Sequence, residues 1–181
     1  MVYVFLADGF EEVEAITPID YLKRSKIEVL LIGVTGKIVT GSHNLKVFAD
    51  HFLDEFDLKI KENDMIILPG GIKGTKNLSS NKIVLDCIKK SFEIGSIAAI
   101  CAAPTILGEL NLLEGLKACC YPGLEKHLKK ATVLFDDVVV DGNIITSKGA
   151  GTAQQFSFKI IEYLLNEEKS REIKDQVQWN V

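Results

Sequence analysis

One segment of the chain combines a nucleophile with the geometry that could expose it. The apolar run Ile97-Ala98-Ala99-Ile100 delivers Cys101 directly into Ala102-Ala103-Pro104-Thr105. A buried strand is expected to end at the cysteine, and a helix to open just after it with Pro104 in its first turn. This is the strand–nucleophile–helix order of a nucleophile elbow, in which a sharp turn lifts one side chain above a sheet. Such a turn needs small neighbours, and Ala99, Ala102 and Ala103 supply them. A thiol at a helix N-terminus is expected to ionise more readily than a free one. The same residue types also suit a small buried cysteine, and this segment alone leaves both readings open.

Two further segments offer what such a thiol would need. Leu68-Pro69-Gly70-Gly71 closes another apolar run. Paired glycines there let the backbone turn and aim N–H groups at a ligand, as in an oxyanion hole, though a plain loop fits equally. The spacing matches neither dinucleotide nor P-loop fingerprints. Glu14 shares a helical face with Phe10, Val13, Thr17, Pro18 and Tyr21, whereas Glu11 and Glu12 are expected to face outward. A carboxyl among apolar neighbours keeps its proton to higher pH and can donate it. A boundary glutamate paired with Lys or Arg is the alternative. Tyr121 and Pro122, after the pair Cys119-Cys120, are candidate pocket-lining residues. Gly151 and Thr152, in Gly149-Ala150-Gly151-Thr152, either cap the following helix or line the same cleft.

These segments need a scaffold, and the pattern supplies one. Val2–Leu6, Ile27–Val34, Met65–Leu68 and Ile97–Ile100 read as buried strands. Helices are expected from about Gly9 to Ser25, with Asp8 as N-cap and a kink at Pro18, over Ile83–Ile94, after Ala102, over Ala153–Asn166, and finally to about Val177. Hairpins are expected around Gly41-Ser42 and around Asp141-Gly142-Asn143. Alternating strands and helices predict an α/β sandwich with a mostly parallel sheet, in one domain spanning 1–181. Chemistry in such folds gathers at the carboxyl ends of the strands.

Composition narrows the function classes. The 181 residues are 47% hydrophobic and 25% charged, enough for a sizeable core. A net charge of −4 and scattered basic residues give no footprint for nucleic acid or an anionic membrane. No leader or membrane span is expected, which points to the cytoplasm. The four cysteines (Cys87, Cys101, Cys119, Cys120) then belong to a reducing compartment as free thiols. They form no C-x-x-C, and His43, His51 and His127 share no metal-ligand spacing with them or with one another, so neither a metal nor a cofactor is expected. No histidine stands at an obvious strand end to activate Cys101.

The combination of Asp8-Gly9-Phe10-Glu11-Glu12-Val13-Glu14, Leu68-Pro69-Gly70-Gly71, Ala98-Ala99-Ile100-Cys101-Ala102-Ala103-Pro104 and Ser147-Lys148-Gly149-Ala150-Gly151-Thr152 resembles the ThiJ/PfpI family, in its DJ-one-like branch, over essentially the whole chain. The resemblance implies a flavodoxin-like α/β sandwich and a homodimer joined through the first helix and the Gly41 hairpin. It implies a reactive Cys101 hydrogen-bonded by protonated Glu14, with backbone amides of Gly70, Gly71 and Ala102 nearby. It also implies glutathione-independent glyoxalase or deglycase chemistry on small reactive carbonyls or glycated adducts, or alternatively oxidative-stress sensing and chaperoning through oxidation of Cys101. Three departures matter. Tyr121 stands before Pro122, where glyoxalase members usually carry histidine, which implies slow turnover. Ala102 stands where the peptidase-like branch has histidine, which argues against a protease. Ser147–Phe156 holds no His-x-Glu, which argues against a glutamine amidotransferase.

Overall fold

The computed structural model describes residues 1–179. Four short, almost wholly apolar segments make its centre: β1 (Val2–Leu6), β2 (Val29–Gly33), β6 (Met65–Leu68) and β7 (Ser96–Ile100). Each is too apolar to present a solvated face, so each needs cover on both sides. They join β5 (His51–Phe52), β10 (Val138–Asp141) and β11 (Ile144–Ser147) in one seven-stranded sheet ordered β5-β2-β1-β6-β7-β11-β10. All neighbours pair in parallel except the β10–β11 hairpin. The parallel core is the flavodoxin-like order, with its reversal between β1 and β6.

Alternation along each strand builds two cores. Val2, Val4, Leu6, Ile67 and Ile100 face the layer of α1 (Glu12–Arg24), α5 (Ala153–Leu164) and α6 (Glu167–Gln176). Tyr3, Phe5, Ile66, Leu68 and Ala99 face α2 (Ile72–Ser80), α3 (Lys82–Ile94) and α4 (Pro104–Glu109). The result is three layers with the sheet in the middle. The hairpin of β3 (Ile38–Thr40) and β4 (Lys46–Phe48) stands apart from the main sheet, and β8 (Lys117–Ala118) pairs with β9 (Thr132–Val133). No helix among the described residues is long and apolar enough to cross a membrane.

The main expectations about elements hold, with three corrections. α1 begins at Glu12, not Gly9, and its N-cap is Glu11, whose carboxylate accepts the Glu14 N–H at 2.8 Å. Asp8 is drawn elsewhere: its carboxylate accepts the Thr40 N–H at 2.9 Å, tying the β3–β4 hairpin to the end of β1. Glu12 faces inward rather than outward and is buried. Its carboxylate is held by the His43 N–H, the Ser42 hydroxyl at 2.9 Å and His43 Nδ1 at 2.9 Å. Those partners lie about thirty residues away in sequence, so no local pattern announces them.

Candidate active site

Three strand ends converge beside the sheet reversal. Cys101 follows β7, Gly70 and Gly71 follow β6, and α1 brings Glu14 back over the end of β1. Cys101 itself sits at φ +65°, a left-handed conformation that strains a residue with a side chain by about 1–3 kcal/mol. Its neighbours hold it there. The Cys101 N–H donates to Ser147 O at 2.9 Å on β11, and Cys101 O accepts the Tyr121 N–H at 2.8 Å. The elbow geometry expected from sequence is therefore present.

Glu14 comes close to the sulfur. Its carboxyl accepts the Gly70 N–H at 2.9 Å and lies close enough to Cys101 and to the Ala150 N–H for both to affect its ionisation. At 1% exposure it is the most deeply buried acid of the site. Pro18 lies one turn further along α1 and has no N–H to give the Glu14 carbonyl, so the helix is irregular where the site needs it. Two glycines make the approach possible. A Cβ on Gly70 would lie 2.5 Å from Glu14 Oε2 and 2.6 Å from Cys101 Cβ. Gly71 has φ +87°, and a Cβ there would lie 2.3 Å from Gly9 O.

The expected amides divide between the two partners. Those of Gly71 and Ala102 point at the sulfur, whereas that of Gly70 goes to Glu14. Ala150 completes the set, a donor that sequence reading missed because only the fold brings the loop after β11 to α1.

Burial raises both partners. It lifts the Glu14 carboxyl to about 7, helped by the charge of Glu11 and opposed by Cys101 and the Gly70 and Ala150 amides. It lifts the Cys101 thiol to about 12, together with the charge and closeness of Glu14, while the Gly71 and Ala102 amides pull it down. The lowered thiol expected from a helix N-terminus is thus corrected. α4 has only six residues and starts at Pro104, three positions beyond the sulfur, so its dipole adds little. In physical terms the two groups resist being charged together, so above about 7 they share a single proton. Cys87 and Cys120 are also raised by burial, to about 11 and about 12, but no hydrogen-bond donor offsets that effect. Cys119 has donors as well, from Thr146 and the Val139 backbone, but is almost fully buried, so it is a donor set combined with partial exposure that singles out Cys101.

The remaining candidates spread outward. Tyr121 is 53% exposed, and its ring edges Gly149, where a Cβ would sit 3.5 Å from Tyr121 Cδ2 and 3.7 Å from Glu14 Oε1. It therefore forms a rim of the site. Pro122 and Gly151 are exposed, and Gly151 has open space around it. Thr152 does not reach the sulfur: its hydroxyl caps the local turn, bonding Ser147 Oγ at 2.6 Å and Gly149 O at 2.9 Å. His127 pairs with Glu109 instead of approaching Cys101. Glu11, Glu12 and His43 do bring three ligand-type atoms within 4.8 Å of one another, a set sequence spacing did not show. The Glu12 carboxylate in it is already committed to hydrogen bonds from the hairpin.

Comparison with known proteins agrees with this architecture. The DJ-1/PfpI family model matches residues 1–163. The Drosophila melanogaster protein dj-1beta is 37% identical over 174 residues, covering 94% of this chain and 92% of that one. A Caenorhabditis elegans protein named glutathione-independent glyoxalase DJR-1.2 is 34% identical over 165 residues, covering 90% and 87%. The chain spans only 40% of the Arabidopsis thaliana protein DJ-1 homolog B, to which it is 36% identical over 95% of its own length. Among solved structures, oxidized Toxoplasma gondii DJ-1 superposes with a TM-score of 0.93 at 31% identity, covering 99% of this chain and 98% of that one.

Proposed function

This chain belongs to the DJ-1/PfpI family, and we propose that it is a cysteine-dependent enzyme of reactive-carbonyl defence, acting on methylglyoxal-type aldehydes or their glycated adducts without glutathione. The observation that supports this reading is the closeness of Cys101 and Glu14, a half-buried nucleophile beside a buried proton carrier, each affecting the other's ionisation. Taken one at a time, a carboxyl at about 7 and a thiol at about 12 would leave the shared proton on the sulfur; because the two charges are coupled, we place it on Glu14 from burial instead. That carboxyl is at 1% exposure, the sulfur is only half-buried, and charge settles where desolvation costs less.

The chemistry then runs in balance. The Cys101 thiolate adds to the aldehyde carbon, and Glu14 gives its proton to the new alkoxide, forming a hemithioacetal. The Gly71 and Ala102 amides, which hold the sulfur, steady the oxygen as it gains charge. Glu14, now a carboxylate, takes the proton from the former aldehyde carbon and returns one to the adjacent ketone carbon, while the hydroxyl proton of the hemithioacetal passes to the former ketone oxygen, giving the 2-hydroxy thioester. The first carbon is oxidised and the second reduced, so no outside oxidant is consumed. Water cleaves the resulting thioester to lactate and regenerates the thiol. With Tyr121 at the rim and no histidine relay, turnover is about a hundredfold or more slower than with a second acid–base group. The test is lactate formed from methylglyoxal without glutathione. Wild type is expected to exceed Cys101→Ser clearly, and equal rates would end the reading.

A second reading, oxidation sensing with a chaperone role, is favoured by one feature: a half-buried sulfur facing Glu14 and two amide donors that could hold sulfinate oxygens. Each peroxide consumed would add one oxygen and release water. Mild peroxide should then add two oxygens at Cys101 only, whereas oxidation spread over all four cysteines counts against it. We further propose a homodimer and a cytoplasmic setting. Val13 and Ile16 on α1, with Leu45 and Phe48 on the adjoining hairpin, are exposed apolar side chains that a second copy would cover. Four unbridged cysteines suit a reducing compartment.

A further inference from the structure

We infer that the Cys101 site accepts carbonyl substrates carrying an extended apolar tail, seated in the cleft between α2 and α4. This rests on Cys101 being the reacting group, as proposed above, and goes beyond it in naming the substrate class.

The cleft encloses about 390 Å³, with walls including Ile72 and Thr75 of α2, Ala102, Ile106 and Leu110 on the α4 side, and Leu124. Cys101 and Gly71 are not among its walls, but the residues that follow each of them in the chain, Ala102 and Ile72, both line it, so the cleft opens one residue away from Cys101 and Gly71. The other side of the sulfur is closed, because Gly70 has no room for even a Cβ between Glu14 and Cys101. A carbon bonded to the sulfur, with its oxygen near the amides, can send its substituent toward α2 and α4, where the cleft is walled, or toward the open rim at Tyr121 and Gly151, which offers no enclosure. A methyl group, close in size to a water molecule at about 30 Å³, would leave most of that space unfilled. The volume and the aliphatic side chains of Ile72, Leu85, Ile106, Leu110 and Leu124 suit a longer alkyl or aryl group. Lys76, Glu109 and His127 also border the cleft. Ile72, 87% exposed at the mouth, presents the apolar surface such a tail would cross on entry.

The test compares methyl and hexyl methanethiosulfonates, which transfer their S-alkyl group to a thiolate as methanesulfinate leaves. Rates at Cys101 are read by intact mass with peptide mapping and divided by those of free cysteine. Each buried methylene is worth about fourfold in rate, so burying two of the five extra ones raises the hexyl-to-methyl ratio at least about tenfold. Ser79→Trp, filling the cleft from an exposed position on α2, is expected to return the ratio to the free-cysteine value with the methyl rate unchanged. Ile72→Asp, placing charge at the mouth, is expected to lower it as well. A wild-type ratio equal to that of free cysteine, with Cys101 still modified by both reagents, overturns the inference and leaves the reading of Cys101 intact. A Cys101 that neither reagent modifies overturns both.

Discussion

Replacing Glu14 by leucine reports where the proton of the pair resides, because the two arrangements predict shifts of opposite sign. If Glu14 keeps the proton, ionised Cys101 receives an O–H bond from it, and Glu14→Leu deletes that bond. A hydrogen bond to a charged group is worth about 1.5–3 kcal/mol, which is about one to two pH units. Thiolate absorbance in the ultraviolet, followed against pH with Cys101→Ser as blank, should then rise in wild type as the pair releases its first proton near about 7. In Glu14→Leu the midpoint should move upward by about one to two units. The opposite arrangement, a carboxylate beside a thiol, gives a wild-type midpoint near about 12, and removing the carboxylate charge would lower it. A high midpoint that falls in Glu14→Leu would refute the proton assignment and the thiolate mechanism built on it.

Other perturbations test the surrounding geometry. Gly70→Ala puts a methyl within 2.6 Å of both partners, so it should separate them and cut thiol reactivity at Cys101 by about a hundredfold while the chain still folds, checked by alkylation rate and circular dichroism. The raised carboxyl also has a thermodynamic signature. The folded pair releases its first proton near about 7, whereas the unfolded carboxyl does so at its ordinary 4.5, so the pair's contribution to stability is complete below about 4.5 and is lost as pH rises through about 7. Urea unfolding should show wild type losing about 3 kcal/mol across that window relative to Glu14→Gln, in which the loss is absent. Tyr121→His adds an acid–base group at the rim and should raise methylglyoxal turnover toward about a hundredfold, and an unchanged rate would remove the proton relay as the missing element.

What the sequence discloses and what it hides follow one physical division. β1, β6 and β7 are legible because a strand covered on both faces must be continuously apolar. Cys101 is legible because alanines crowd a turn that needs small side chains, and Glu14 because its period along α1 matches apolar neighbours. The helix α2 is not legible. Ile72-Lys73-Gly74-Thr75-Lys76-Asn77-Leu78 has weak helix formers and a glycine, and the pattern gives no helix between Gly71 and Ile83. Gly74 is there for packing, since a Cβ would lie 2.7 Å from Phe10 N, a requirement only the assembled fold reveals. The N-cap passes from Asp8 to Glu11 for the same reason: a strand thirty-two residues away claims the Asp8 carboxylate. The burial that opposes ionisation of Cys101 is hidden in the same way, because the elements that cover the sulfur meet only in the assembled fold.

Infrared difference spectroscopy at pH 8 addresses the pair most directly, since it sees both candidate protons. A buried protonated carboxyl band that shifts in heavy water, vanishes in Glu14→Gln and is accompanied by no S–H stretch from Cys101 is the predicted result. An S–H stretch that disappears in Cys101→Ser, with no protonated carboxyl band, would contradict the account.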